Sequence, residues 1–278
     1  MSPSEALSTR GTFDLYLAFG RNAFLTMLAY RLRYYMGILT YLLFVSVHYF
    51  IWQAVYAGKG PGAALNGFTL EEMVTYVAVG WIARSFYFSN IDEEVDDIVT
   101  SGQVGNYLIR PVDFQVMLYA RAIGESLFRL LFFCVPILLV VTWVFPIAAP
   151  ASSEAFLLFS LSTVLGFFVL AGINFTIGLS AFYLKSIRGL MRAKYFIVQL
   201  FSGLLLPISF FPQWLRSVVD LLPFKAVAFV PLQLYLGKIQ SDKALFALAS
   251  QLIWIVVLFV FGRWYWLRAA RRLTVQGG

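Results

Sequence analysis

The chain has 278 residues, of which 60% are hydrophobic and 13% are charged, whereas an average soluble domain carries about 25% charged residues. This apolar surface exceeds what one soluble core can bury, so the composition argues against a soluble enzyme or binding module and indicates a protein of the lipid bilayer. The single cysteine, Cys134, excludes an intramolecular disulfide and a cysteine-based metal cluster.

The N-terminal segment, residues 12–34, mixes apolar residues with Arg21, Arg31 and Arg33. This pattern predicts an amphipathic helix that lies in the membrane interface before the first span. Six later segments are mostly apolar and have about the 20 residues that a helix needs to cross a bilayer. They are residues 36–57, 70–90, 130–153, 155–184, 195–215 and 244–262. We therefore predict an all-α integral membrane protein with six transmembrane helices and both termini on the same side.

Lysine and arginine residues indicate the orientation of these spans, because they are concentrated in cytoplasmic loops. Sixteen of the 21 lie on the side of the termini, and five lie on the other side. The termini are therefore expected in the cytoplasm. The net charge of +7 is explained by this topology, so no nucleic-acid partner is expected.

The external segment between the fifth and sixth spans is apolar but interrupted. Residues 211–237 contain Pro212, Pro223 and Pro231. Proline removes a backbone donor and breaks a helix, so this segment is too interrupted to span. Short re-entrant or interfacial helices are expected there instead.

Four of the polar residues in the predicted spans are candidates for lining a transport pathway: His48, Arg84, Asn174 and Gln199. His48 is the only histidine and has no second ligand in its segment, so neither a metal site nor a hydrolytic relay can be assembled around it. Interhelical hydrogen bonds are the simpler role for His48, Asn174 and Gln199. For Arg84, the simpler role is to reach the cytoplasmic interface along its aliphatic stem.

Two classes of active transporter can be compared by their required motifs. A nucleotide-binding loop needs Gly-Lys followed by Ser or Thr, but Gly58-Lys59 and Gly237-Lys238 are followed by Gly and Ile. The chain is therefore not expected to be an ATPase. An ion-coupled carrier or channel remains the alternative, although no Asp or Glu lies near the middle of a predicted span.

Five of the fourteen acidic residues lie within six positions, and they are Asp92, Glu93, Glu94, Asp96 and Asp97. A calcium-binding loop would need Gly at its sixth position and Glu at its twelfth, where this chain has Asp97 and Gln103. The spacing of Ile91, Val95 and Ile98 instead predicts an amphipathic helix that continues the second span and ends at Gly102. Its carboxylates either face solvent or meet a basic surface on this chain or on a partner.

Several segments together resemble a known family. They are "AYRLRYYMG" before span one, "IWQAVYAG" closing it, "GFTLEEMVTYVAVG" opening span two, "IVTSGQVGNYLIRPVDFQVMLYARAIGE" after it, and "LPISFFPQWLRSVVDLLPFKAVAFVPLQLYLG" between spans five and six. The chain resembles the permease subunits of ABC-2-type ATP-binding-cassette exporters, in particular the compact group that includes proposed bacterial viologen and drug exporters. The most specific part is Leu-Ile-Arg-Pro closing a pattern that contains Ile98, Gly102 and Leu108.

The resemblance implies a single ABC-2-type transmembrane domain over residues 1–278, with residues 12–34 as an interfacial elbow helix and residues 91–114 as a cytoplasmic coupling region. It implies a bacterial inner-membrane exporter that acts with a second permease, identical or paralogous, and with two cytoplasmic ATPase subunits. Those partners would bind ATP and Mg, so no cofactor is expected in this chain. The residues implied in ATPase docking are Gly102, Leu108, Ile109, Arg110 and Pro111.

Overall fold

A computed structural model describes residues 9–30, 32–60, 62–109 and 112–271. It is 78% helical, and its described residues contain no strand. The α-helices are α1 (Thr9–Ala29), α2 (Leu32–Tyr56), α3 (Leu70–Tyr87), α4 (Ile91–Thr100), α5 (Val104–Leu108), α6 (Phe114–Arg129), α7 (Val135–Val144), α8 (Ser153–Gly178), α9 (Arg188–Phe201), α10 (Gln213–Asp220), α11 (Phe229–Tyr235) and α12 (Ser241–Ala270). A π-helical turn, Leu130–Cys134, joins α6 to α7, and 3-10 turns occur at Leu179–Phe182, Ile208–Phe210 and Phe224–Ala226.

Four helical segments within the described residues are long and apolar enough to cross a membrane. They are Leu39–Tyr56, Phe114–Val144, Ser153–Phe182 and Asp242–Ala270. They correspond to the predicted first, third, fourth and sixth spans. The predicted second span forms α3, which carries three charged residues in 18 positions, and the predicted fifth span forms α9, which has only 14 residues.

Two predicted boundaries of the third span were wrong. The helix begins at Phe114, not near residue 130, because the Asp113 side chain accepts the Val116 N–H at 3.0 Å and caps it. Arg121, Glu125 and Arg129 interrupt the apolar pattern before residue 130, but Arg121 pairs with Glu94 of α4 and Arg129 donates to the Ser85 carbonyl of α3. The helix ends at Val144, not at residue 153, because Pro146 follows its last turn.

The predicted fifth span, residues 195–215, and the predicted continuation of the second span also differ from the structure. Helix α9 ends at Phe201, and Gly203 adopts a φ of +81° that ordinary residues avoid. Helices α3 and α4 are separate, because the buried Arg129 side chain donates to the carbonyls of Ser85, at 2.9 Å, and of Phe88. A cation there satisfies the unpaired carbonyl groups at the C-terminus of α3.

The first helix lies against α6. It ends at Ala29, and residues 32–34 of the predicted segment begin α2 instead. Gly20 and Gly124 form the crossing point, where a Cβ on Gly124 would overlap the Gly20 carbonyl group. Two glycines therefore allow the backbones of α1 and α6 to touch.

The segment between α9 and α12 folds back into the protein. The Val227 carbonyl lies against Gly166, at the middle of α8. The neighbouring Ala226 carbonyl accepts from the Gln251 side chain of α12 at 2.7 Å, and the Gly203 carbonyl accepts from the Tyr76 hydroxyl at 2.6 Å. Side chains of the long helices thus satisfy backbone groups of this irregular segment, as a bilayer interior requires.

Candidate functional site

Helix α4 buries one face and ends as the sequence predicts. Ile91, Val95 and Ile98 are buried. At its end the Gln103 N–H donates to the Ile98 carbonyl at 3.0 Å, and Gly102 has a φ of +71°. This is the Schellman arrangement, in which a left-handed glycine closes a helix. The predicted helix end at Gly102 is confirmed.

An exposed apolar pair follows at the end of α5. The side chain of Leu108 is 47% exposed and that of Ile109 is 84% exposed. Behind this pair, the Tyr107 ring packs edge-on against Phe114, and Phe114 stacks on Trp266 of α12 with ring centroids 4.4 Å apart. Packed aromatic rings, which we call the aromatic base, thus hold the chain next to Leu108 and Ile109. The other two docking candidates, Arg110 and Pro111, lie outside the described residues.

Asp113 fixes the chain just after this apolar pair, and our sequence analysis did not single it out. Its carboxylate caps α6 and also pairs with Arg263 of α12. Its N–H donates to the Tyr16 hydroxyl of α1 at 2.8 Å. The sequence does contain a helix-capping signal here, because Asp113 directly precedes the apolar run that begins at Phe114. No local sequence pattern indicates that Asp113 contacts Arg263 and Tyr16.

The acidic face of α4 meets basic side chains of the same chain. Asp92 is buried and pairs with Lys194 of α9 at 2.8 Å, and Glu94 pairs with Arg121 of α6. Glu93 and Asp97 are exposed. Asp92 and Glu94 thus meet a basic surface of the same chain, whereas Glu93 and Asp97 face solvent.

The Glu94 carboxyl group has an altered acidity. Its pKa is raised to about 7, and burial is the largest cause. The Arg121 guanidinium opposes this increase, and the carboxylates of Glu125 and Asp97 add to it. Burial dominates because the charged form loses its hydration. Glu94 can therefore gain or lose a proton near neutral pH.

Three of the four predicted pathway residues line one cleft between α3, α8 and α9. They are Arg84, Asn174 and Gln199. The Asn174 amide donates to Ser89, with its nitrogen 2.7 Å from the backbone carbonyl oxygen, and its carbonyl oxygen accepts from Lys194 at 2.8 Å. Asn174 thus has the interhelical role that the sequence suggested, while it also faces the cleft.

Arg84 is held among aromatic rings. Its guanidinium carbon lies 5.2 Å from the Trp81 ring centroid, 4.9 Å from that of Phe88 and 5.6 Å from that of Tyr195. The Tyr195 hydroxyl accepts from Arg84 at 3.4 Å and from the Gln199 amide at 2.8 Å. Cation–π contacts position the guanidinium at the cleft instead of releasing it to the interface.

The remaining predicted residues lie elsewhere. His48 donates to the Phe44 carbonyl of its own helix at 2.9 Å and stacks on the Phe44 ring, so its hydrogen bond is not interhelical. It does not line the cleft formed by the other three. Arg21 is exposed on α1. Arg31 and the side chain of Arg33 lie outside the described residues.

The basic residues that organise this region, Lys194 and Arg129, entered the sequence analysis only as topological charges. Lys194 contacts Asp92, which is 102 positions away in sequence. Arg129 contacts carbonyls more than 40 positions away. One sequence carries no pattern that joins such distant residues, so only the fold could identify them.

Comparison with known proteins places this arrangement in a family. No curated protein matches the chain. A family model described as ABC-2 family transporter protein matches residues 42–277, which include every helix from α3 to α12. The chain therefore belongs to the ABC-2 family of transporter proteins, and it is a membrane-embedded transport component of that family.

Proposed function

We propose that the chain is the permease subunit of an ATP-driven exporter in a bacterial inner membrane, with both termini in the cytoplasm. Family membership implies an ABC ATPase partner in general. In this proposal the partners are two ATPase subunits, which bind ATP and Mg, and a second permease that is identical or paralogous. The chain moves substrate across the bilayer and the ATPases supply the energy.

The proposal includes six membrane crossings. Helix α3 is about 27 Å long at 1.5 Å per residue, close to the hydrocarbon thickness of about 30 Å, and its middle residues are buried in protein. Helix α9 is only about 21 Å long, and irregular backbone from Ser202 completes its crossing. Helix α1 is the elbow helix, and residues 211–237 include the re-entrant segment, whose Val227 carbonyl lies against the middle of α8.

The exposed pair Leu108 and Ile109 carries the docking proposal. An apolar side chain that is 84% exposed fits an interface with a soluble subunit, and the lysine and arginine distribution assigns this part of the chain to the cytoplasmic side. The aromatic base and the Asp113 contacts connect this pair to the continuous helix from Phe114 to Val144. That helix is roughly 46 Å long. Movement of the ATPase would therefore pass directly into a membrane-spanning helix.

Loss of ATPase association tests this site. With the tagged chain expressed in its native host, the ABC ATPases that co-purify are quantified by mass spectrometry for the wild type and for Ile109→Glu. We expect at least a tenfold loss of ATPase, because a buried unpaired carboxylate at an interface costs more than about 1.4 kcal/mol.

Leu221→Glu is the matched control. Leu221 is also an exposed apolar residue, at 77% exposure, but it follows α10, in the segment that the lysine and arginine distribution assigns to the opposite side of the membrane. This variant should retain its ATPase. Association unchanged by Ile109→Glu would contradict the docking site, and transport that persists without ATP would favour an ion-coupled carrier or channel.

A further inference from the structure

The cleft between α3, α8 and α9 carries an excess positive charge. No carboxylate lines it among the described residues, whereas Arg84 and Lys194 both do. The Lys194 charge is compensated by Asp92 at 2.8 Å. Arg84 has no ion pair within the described part of the chain, and its cation is accompanied only by aromatic rings. One uncompensated guanidinium therefore faces the cleft.

A hydroxyl group beside Arg84 also has a hydrogen to donate. The Tyr195 oxygen accepts two hydrogen bonds, one from Arg84 at 3.4 Å and one from Gln199 at 2.8 Å. A phenolic oxygen with two donors directed at it has its own hydrogen left for an acceptor. Arg84 and Tyr195 together thus present donors and positive charge, which are the requirements for holding a phosphate or carboxylate.

The surroundings of these donors are amphipathic. A groove of about 600 Å³ adjoins the cleft and shares Phe88, Ser89, Lys194 and Tyr195 with it, and this groove is polar, because four carboxylates of α4 and three cations of α9 line it. Helix α9 also exposes apolar side chains, including Phe196 at 66%, which borders this groove, and Leu200 at 41%. An acyl or alkyl chain that continues from a headgroup at Arg84 would therefore lie along the exposed apolar side chains of α9.

We propose that this cleft binds the anionic headgroup of an amphiphile, a phosphate or a carboxylate, through Arg84 and Tyr195. The inference rests on the proposed function, and it specifies the substrate class of that permease. A cationic amphiphile would meet the uncompensated guanidinium and is disfavoured. The same chemistry describes a transported anionic amphiphile and a resident anionic lipid.

Binding by the full-length chain, without ATPase, tests the proposal. The chain is placed in phosphatidylcholine nanodiscs and titrated with dodecyl phosphate or with dodecyltrimethylammonium, and partitioning into empty nanodiscs is subtracted. We expect saturable binding of dodecyl phosphate only. Arg84→Gln should weaken it about tenfold or more, because hydrogen bonds to charged groups contribute this much, and Arg84→Lys should restore part of it.

Arg271→Gln is the matched control, because it removes an exposed arginine at the end of α12 and should leave binding unchanged. Equal binding by wild type and Arg84→Gln, or preference for the cation, would overturn the proposal. Circular dichroism and thermal unfolding of Arg84→Gln verify that it is folded. Because Arg84 lines the cleft and neither Leu108 nor Ile109 does, a folded Arg84→Gln chain that binds no dodecyl phosphate but retains its ATPase supports the site separately from the docking assignment.

Two further measurements distinguish the sources of the ligand. A transported amphiphile is indicated when dodecyl phosphate stimulates ATP hydrolysis by the wild-type complex. A resident lipid is indicated when an anionic phospholipid co-purifies with the wild-type chain and is lost from Arg84→Gln. Either result supports an anionic headgroup at Arg84, and the absence of both, together with no dodecyl phosphate binding, contradicts it.

Discussion

Lys194 joins three parts of the chain that are far apart in sequence. Its ammonium group contacts Asp92 on α4 and Asn174 on α8, and Asn174 in turn contacts Ser89 between α3 and α4. The Asp92 side chain is only 4% exposed and that of Lys194 only 14%. Such a buried pair is sensitive to the loss of one partner, because the remaining charge has neither water nor a counter-ion.

Lys194→Met should destabilise the protein strongly. Removing one partner of a buried pair typically costs about 3–5 kcal/mol, and thermal unfolding of the purified chain in detergent measures the effect. Lys194→Met combined with Asp92→Asn should be more stable than Lys194→Met alone, since no uncompensated carboxylate remains. Equal losses in the single and double variants would show that the pair does not stabilise the fold in this way.

Glu94 predicts a dependence of stability on pH. Its folded pKa, about 7, is above its ordinary value of 4.5, so the folded chain binds the proton more tightly than the unfolded chain. The stabilising contribution is therefore complete below about pH 4.5 and is lost as the pH rises through 7. Glu94→Gln should flatten the decline in melting temperature between pH 5 and 8. An identical decline in the variant would assign it to other carboxylates, such as Glu93 and Asp96, whose pKa values burial also raises.

The contact between α1 and α6 shows how one helix is positioned on another. Gly20 and Gly124 face each other, and Phe24 packs edge-on against Phe128 with ring centroids 5.9 Å apart. Tyr16 of α1 also accepts the Asp113 N–H at the start of α6. Helix α1 therefore contacts α6 from its start at Asp113 to Phe128.

Gly124→Ala should separate these helices. The new methyl group would overlap the backbone of Gly20, which cannot move without displacing α1, so we expect a loss of about 1–3 kcal/mol in stability, as overpacking typically causes. Gly189→Ala is the matched control, because a Cβ there meets nothing within 4 Å. Thermal unfolding in detergent measures both, and similar stability of the two variants would contradict a close α1–α6 crossing.

The sequence predicted helices and their apolar segments better than their ends and partners. Composition sufficed for the long spans, and glycine chemistry sufficed for the end of α4 at Gly102. The sequence did not predict that a membrane-crossing helix begins at Phe114, because charged residues interrupt the apolar pattern before residue 130 and the partners of Arg121 and Arg129 lie on other helices. The sequence also did not predict that α9 ends at Phe201, because the backbone after it is held by the contact of Gly203 with Tyr76. The cleft could not be predicted either, because three helices from distant segments form it.

At the scale of the molecule, one continuous helix connects the two ends. Residues 114–144 begin shortly after Leu108 and Ile109. Just beyond their end, the Ala148 N–H donates to the Thr75 hydroxyl near the start of α3. There, Lys238 pairs with Glu72 at the start of α3 at 2.7 Å, so the segment before α12 is tied to α3. Under the proposed function, movement at Leu108 and Ile109 would therefore pass along this helix to the segment that holds the start of α3.

Site-specific cross-linking at Ile109 tests the central proposal most directly. Cys134 is the only cysteine and is buried, so Ile109→Cys in a Cys134→Ala background offers one exposed thiol for a benzophenone maleimide. Leu221→Cys in the same background is the control. After illumination in native membranes, we predict a covalent adduct with an ABC ATPase from position 109 and none from position 221. An ATPase that still co-purifies but forms no adduct with position 109 would contradict the account.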